Sequence, residues 1–389
     1  MTAEQLLATE PESAGQAEAD GTVALIRSSF AVVAPSADEV ARHFFATLFG
    51  SVPETRDLFP VNMEVQRSRL LRALVHVVQM VDRPAALVPF LEQLGRDHRK
   101  FGVVAEHYDA VGVALLDAVA TFAGPAWTPE VEQAWTGAYG TVAKAMRTAA
   151  AVERGPATWL GRVVGHRRVG WDLAVIEVAA SEPVPYRAGQ YVSVETPQRP
   201  RLWRYLSPAN APRDDGRLEF HVRAVPGGWV SRSIVAHSRV GDTWRIGPPM
   251  GRMQVARNTR RNVLMVAGGT GSAPIRALLE DLARGEGQPR TQVFLGGRTW
   301  DDLYDFAPLR RLSYDNPWLD VVPVVERDDP GDGGAEIGTL SEVVTRYGSW
   351  ADHDVTVCGS PAMIRATVSQ MLVAGTPLDR ITYDPFTLD

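Results

Sequence analysis

At 389 residues the chain exceeds one ordinary core and predicts two or three domains. Its 45% apolar and 22% charged residues are globular composition, which excludes a disordered or fibrous chain as a whole. Forty Lys+Arg against forty-six Asp+Glu give −6, so no basic field invites nucleic acid, and the single Cys358 excludes a disulfide framework or a cysteine-rich metal site. No run approaches ~20 apolar residues. Glu4, Glu10, Glu12, Glu18 and Asp20 precede the first basic residue, Arg27. The expectation is a cytoplasmic chain with neither signal peptide nor membrane span, monomeric by default.

Residues 1–21 are acidic and carry no apolar stripe, and are expected to form a disordered tail. Residues 22–152 read as helical almost throughout, punctuated by Pro53, Pro60, Pro84 and Pro129. After Gly155-Pro156 the texture changes. Short β-rich segments between turn residues (Val163–Arg168, Ala174–Val178, Tyr191–Glu195, Leu218–Val225) predict an antiparallel barrel over 157–258. In 260–389 compact apolar strands (Val263–Ala267, Gln292–Gly296, Leu319–Val325, Asp354–Cys358) alternate with helices and predict an α/β domain with a parallel sheet. The fold class is therefore multidomain: all-α, then antiparallel β, then α/β.

In the helical part, Leu87, Leu91, Leu94 and Phe101 form one stripe, and His98 fills its i+11 place, pointing inward. An inward imidazole is a core histidine or a ligand, and periodicity leaves both open. No other histidine is spaced i, i+4 with His98, so zinc is disfavoured and haem, which needs one axial nitrogen, remains. His76 shares a face with Arg69, Arg72, Gln79 and Arg83, a solvated stripe.

The run His43-Phe44-Phe45, with Leu58-Phe59, Gln66-Arg67, Asp97-His98 and Trp135–Tyr139, resembles the globin domain of flavohaemoglobins. The resemblance implies haem b on His98, oxygen on the side of Gln66 and Phe45, and Tyr108 as the proximal tyrosine. Three positions depart from the pattern. Phe45 replaces a distal tyrosine. Ala150 stands where a helical glutamate completes the proximal triad. Asp97 replaces a lysine, which implies a negative charge near the haem propionates.

In the barrel, Gly189-Gln190-Tyr191 turns into a strand, Arg204-Tyr205-Leu206-Ser207 follows, and Gly227-Gly228-Trp229-Val230-Ser231 opens a helix. Arginine, serine and a glycine-rich helix start suit the phosphates and ring edge of a flavin dinucleotide. In order, they resemble the FAD barrel of ferredoxin–NADP reductases. Arg204 and Ser207 match the ends of the Arg-x-Tyr-Ser motif, but Leu206 holds the tyrosine position, and strand alternation is expected to turn Tyr205 away. Phe386 matches the aromatic placed against the flavin's other face.

Val263–Ala267 runs into Gly268-Gly269-Thr270-Gly271-Ser272-Ala273-Pro274, a strand, glycine loop and helix start in the order of an anion cradle. It lacks a P-loop lysine, which disfavours ATP. The loop resembles the pyrophosphate loop of the same reductases. Arg298 falls near the adenosine side, and Cys358-Gly359-Ser360-Pro361 matches the segment beside the nicotinamide.

The whole resemblance implies a flavohaemoglobin-like oxidoreductase in which NAD(P)H reduces FAD and FAD reduces haem, with nitric oxide dioxygenation as the activity. Two other readings stay open: a hydroxy-acid donor such as lactate, and a haem-based redox or gas sensor.

Overall fold

Helix formers fill the first third of the chain, and prolines stand where its helices begin. The computed structural model describes residues 10–256, 259–327 and 334–383. Its helical part comprises α1 (Glu10–Val33), α2 (Ala37–Ser51), α3 (Glu64–Met80), α4 (Pro84–His98), α5 (Ala105–Ala123) and α6 (Pro129–Val152). Pro84 and Pro129 occupy first-turn positions, where a missing N–H costs nothing. The expected disordered tail is corrected from Glu10 onward, where α1 begins. Alanine and glutamate are strong helix formers, and their propensity outweighs the missing apolar stripe there. Residues 1–9 lie outside the described segment.

Ile26, Val40, Phe44, Leu48, Ala118, Val119 and Trp135 form one core of this bundle, and Leu87, Leu91, Tyr108, Ala143 and Met146 form a second. Helix α4 can approach α6 closely because residue 95 is glycine: a Cβ there would overlap the Met146 carbonyl. Among the described residues, one segment, Ala105–Ala126, has the length and apolarity of a membrane span. Helices α2 and α6 pack against it, and Ala114, Ala118 and Val119 are buried, as in a core helix.

The chain divides into two compact units, 1–157 and 158–389. The second unit holds two six-stranded sheets. The first comprises β1 (Trp159–Arg168), β2 (Leu173–Ala180), β3 (Val192–Glu195), β4 (Arg204–Leu206), β5 (Arg217–Arg223) and β6 (Thr243–Ile246), with α7 (Trp229–His237) inserted. Every pairing is antiparallel, in the order β4-β3-β6-β1-β2-β5, and a bridge from Pro208 to Phe220 nearly closes the ring. Leu218, Phe220, Val222, Trp244 and Ile246 fill it.

The second sheet is all parallel: β7 (Asn262–Gly268), β8 (Thr291–Gly297), β9 (Leu319–Val325), β10 (Glu336–Ile337), β11 (His353–Cys358) and β12 (Ile381–Tyr383), in the order β10-β9-β8-β7-β11-β12. Helices α8 (Ser272–Ala283), α9 (Phe306–Asp315), α10 (Leu340–Arg346) and α11 (Pro361–Val373) connect its strands. The chain runs outward from β7 through β8 and β9, then returns to β11 on the other side. The carboxyl ends of β7 and β11 thus flank a switch point, where such sheets bind ligands.

Candidate functional site

His98 ends α4, and the stripe above it, Leu87 and Leu91, is core. Its Nδ1 lies 2.7 Å from the Leu94 carbonyl, so Nδ1 carries the proton and Nε2 is left with the lone pair a metal needs. Burial pushes the imidazole pKa down against the pull of Asp97, so the ring is neutral. Among the described residues no group of three His, Cys, Asp or Glu could hold a metal, so an iron here requires a macrocycle. These features fit haem. Tyr108 is buried beside Leu94, and burial raises its pKa; the Tyr139 hydroxyl donates to its carbonyl. Ala150 is half-buried on α6, and the partner of His98 Nδ1 is a carbonyl rather than a carboxylate.

The expectation for Asp97 is corrected. Asp97 is buried, and its carboxylate lies 2.6 Å from the equally buried Lys100 ammonium. A buried charge needs its counter-charge, and a lysine one helical turn later supplies it. His76 also departs from its solvated stripe, with its ring 4.5 Å from that of Phe90. Phe45 meets Phe44, Phe49 and Phe59 at centroid distances of 4.9, 5.7 and 5.3 Å. Gln66 is half-buried in the first turn of α3, and its amide has no partner among the described residues.

In the second unit a cavity of about 160 Å³ brings the motifs together. Tyr205, Leu206 and Ser207 line it from the barrel, and Thr270, Gly271, Cys358 and Gly359 from the switch point. Along β4, which ends at Leu206, Tyr205 is exposed between half-buried Arg204 and Leu206, and its ring lies edge-on to Tyr191, 5.3 Å between centroids. Gly271 is what lets the two loops touch. A Cβ there would overlap the Cys358 carbonyl and lie 2.7 Å from the Gly359 nitrogen. Gly268 and the left-handed Gly269 complete the approach to α8. The Cys358 thiol is buried, 3.5 Å from the Met253 sulfur. A glycine loop at a helix start beside a barrel rim fits a dinucleotide and a flavin.

Other positions are occupied differently. The Gln190 amide is committed to the Arg187 and Gly251 backbone. Val230 belongs to the barrel core. Ser231 closes the turn at Gly228 by bonding to Val225 and Gly228, which leaves Trp229 exposed. Arg204 donates to the Trp203 carbonyl; Arg298 is exposed beside a turn capped by Asp302. Phe386 lies outside the described residues.

Sequence reasoning passed over a buried polar cluster at the same cavity. Glu219 and His221 of β5 face Ser272, Arg276 and Glu280 of α8, with Tyr304 and Asp305 before α9. The signal was Glu-x-His-x-Arg alternating against Leu218, Phe220 and Val222. Burial works against ionised Glu219, yet the bond from His221 and the Arg276 charge pull its pKa down to about 2. An acid so lowered stabilises the fold above its unfolded pKa, and that stability is lost as pH falls toward about 2. Its size is about 3 kcal/mol. Thermal melts should show wild type losing more stability than Glu219→Gln between about pH 4.5 and pH 2.

Family models match three stretches: a globin over 42–146, an oxidoreductase FAD-binding domain over 161–255 and an oxidoreductase NAD-binding domain over 265–369. A flavohemoprotein of Bordetella parapertussis is 30% identical over 292 residues, 68% of this chain and 71% of that protein. One from Deinococcus radiodurans is 27% identical over 346 residues, 83% of each chain. Among solved structures, a flavohemoglobin from Malassezia yamatoensis with bound FAD and heme shares the fold. Its TM-score is 0.77 at 19% identity, covering 93% of this chain and 98% of that one.

Proposed function

The chain belongs to the flavohaemoprotein family, and on that premise we propose that it passes electrons from NAD(P)H through FAD to a haem on His98 and uses them to convert nitric oxide to nitrate. Its cofactors are haem, FAD and a nicotinamide dinucleotide. What carries the reading is one cavity lined by both Ser207 and Cys358, in a chain whose helical part holds a buried, neutral imidazole with Nδ1 bonded and Nε2 left for a metal.

The bound cofactors supply the redox chemistry. Leu94 holds the His98 ring in one tautomer and orientation. The Asp97–Lys100 pair places no net charge beside it. Phe44, Phe45, Phe49 and Phe59 form an aromatic cluster that would keep water from the distal side of a haem, and Gln66 is the amide that would donate there. In the second unit the amides of the glycine loop would hold the dinucleotide's pyrophosphate, Leu206 would cover the flavin ring, and Ser207 would bond its edge.

The test is anaerobic addition of NADH, NADPH or lactate while flavin and haem spectra are followed together, then aerobic assay of nitric oxide loss and nitrate. A nicotinamide should bleach flavin first and haem second. Bleaching by lactate alone would transfer the reading to the hydroxy-acid donor.

Phe45 carries a second expectation. A phenyl ring offers bound oxygen no hydrogen bond, and such a bond contributes about 1.5–3 kcal/mol. Phe45→Tyr should therefore slow oxygen dissociation by roughly tenfold to a hundredfold, read by stopped-flow displacement with carbon monoxide.

A further inference from the structure

Strand β5 is apolar toward the barrel core and charged on its other face. His221 projects from that charged face, with its side chain about 1% exposed. Its Nε2 lies 2.9 Å from Glu219 Oε1, and its Nδ1 lies 2.9 Å from the Tyr304 hydroxyl. That hydroxyl lies 2.9 Å from Ser272 Oγ, in the residue that follows Gly271 and starts α8. A continuous chain of hydrogen bonds thus runs from the barrel to the glycine loop, and His221 itself lines the shared cavity.

Carboxylates outnumber cations around His221. Arg276 bridges Glu219 at 2.9 Å, Glu280 at 3.2 Å and Asp305 at 3.3 Å, so one guanidinium serves three carboxylates. The second Asp305 oxygen is buried with no hydrogen-bond partner, 3.9 Å from His221 Nδ1. Arg223 is directed to Asp172 and Asp302, and Arg213 reaches only Glu280, at 3.9 Å.

We propose that His221 is a positioning residue for flavin reduction: through its bonds to Glu219 and Tyr304 it clamps β5 of the barrel to the glycine loop and fixes the cavity across which nicotinamide and flavin meet. This rests on the reading of that cavity as the meeting place of the two cofactors. The step is passage of a hydride, two electrons with one proton, from reduced nicotinamide to oxidised flavin. His221 gives and takes no atom in it. Burial opposes ionised Glu219, but His221 and Arg276 hold its pKa at about 2, and burial pushes the Tyr304 phenol far up. Neither trades protons near neutral pH, so the chain acts as a clamp and not as a proton wire.

The experiment uses the full-length protein with FAD and haem, in wild type, His221→Gln and His221→Leu. Visible circular dichroism of bound FAD needs no electron donor. It should differ between wild type and His221→Leu, with His221→Gln nearer wild type. Stopped-flow flavin reduction by NADH then separates the limiting rate from the dissociation constant. In His221→Leu the limiting rate should be lower by on the order of tenfold to a hundredfold, with NADH affinity and FAD content retained. His221→Gln, which keeps a donor and an acceptor, should recover part of the rate. A dichroism signal identical in wild type and His221→Leu overturns the proposal, as does a rate loss that only tracks lost FAD. Wild-type flavin that no nicotinamide bleaches refutes the donor instead, and the dichroism arm still decides the clamp.

Discussion

Replacing His98 by alanine is expected to remove haem from the protein while leaving FAD in place. His98 offers a neutral imidazole whose Nδ1 is taken by Leu94, so Nε2 is the one atom it can give to iron. No cluster of His, Cys, Asp or Glu among the described residues can take over the metal. His76 is turned against Phe90, and His43 is paired with Asp117 at 2.8 Å. With one cysteine in the chain there is no Cys-x-x-Cys-His to hold the group covalently, so nothing retains it once the ligand is gone. FAD should stay because residues 158–389 have their own core. The measurement is the Soret band against the flavin band in the purified variant. Imidazole added to the medium should restore the Soret band by filling the truncated site, and His76→Ala should keep it throughout. A normal Soret band in His98→Ala would falsify the ligand assignment.

What the sequence carried into the structure, and what it did not, divides along one physical line. Periodicity settles which way a residue points within its own element. It turned His98 inward on α4 and aligned the apolar strands β7, β8, β9 and β11, because those features depend on spacing alone. Strand, glycine loop and helix start are contiguous, so the Gly268–Gly271 cradle was legible before any fold existed. What lies opposite an element is set by tertiary packing. Asp97 read as a lone negative charge because nothing in its spacing shows that Lys100 is buried with it. The Glu219–His221–Tyr304–Ser272 chain joins residues far apart in sequence, and only the packing of β5 against α8 brings them into register. Strand β4, at only three residues, still alternates, with Tyr205 exposed between half-buried Arg204 and Leu206.

Gly271→Ala is expected to disable flavin reduction by nicotinamide almost as completely as His98→Ala disables haem binding. The added methyl would overlap the Cys358 carbonyl carbon and oxygen and lie 2.7 Å from the Gly359 nitrogen. All of these are backbone atoms. The segment cannot give way easily, because Cys358 is paired in register with Ala267 at the end of β7. The backbone of Gly271, with φ near −63°, suits alanine, so the whole effect is steric. Overpacking of this kind costs roughly 1–3 kcal/mol, enough to lower the melting temperature without unfolding the unit. Forcing the loops apart by a fraction of an ångström displaces the dinucleotide cradle from the flavin pocket. Misplacements near 1 Å cost on the order of a hundredfold in rate. Gly268→Ala is the control: its methyl would meet the Met363 Cε at 3.0 Å, the far end of a flexible side chain that can move aside. Stopped-flow reduction should therefore show Gly271→Ala slowed by about a hundredfold and Gly268→Ala slowed little, with equal FAD content and equal reduction by dithionite. Equal rates in both variants would mean that the close approach of Gly271 to Cys358 serves packing alone, and that the nicotinamide is held elsewhere in the cavity.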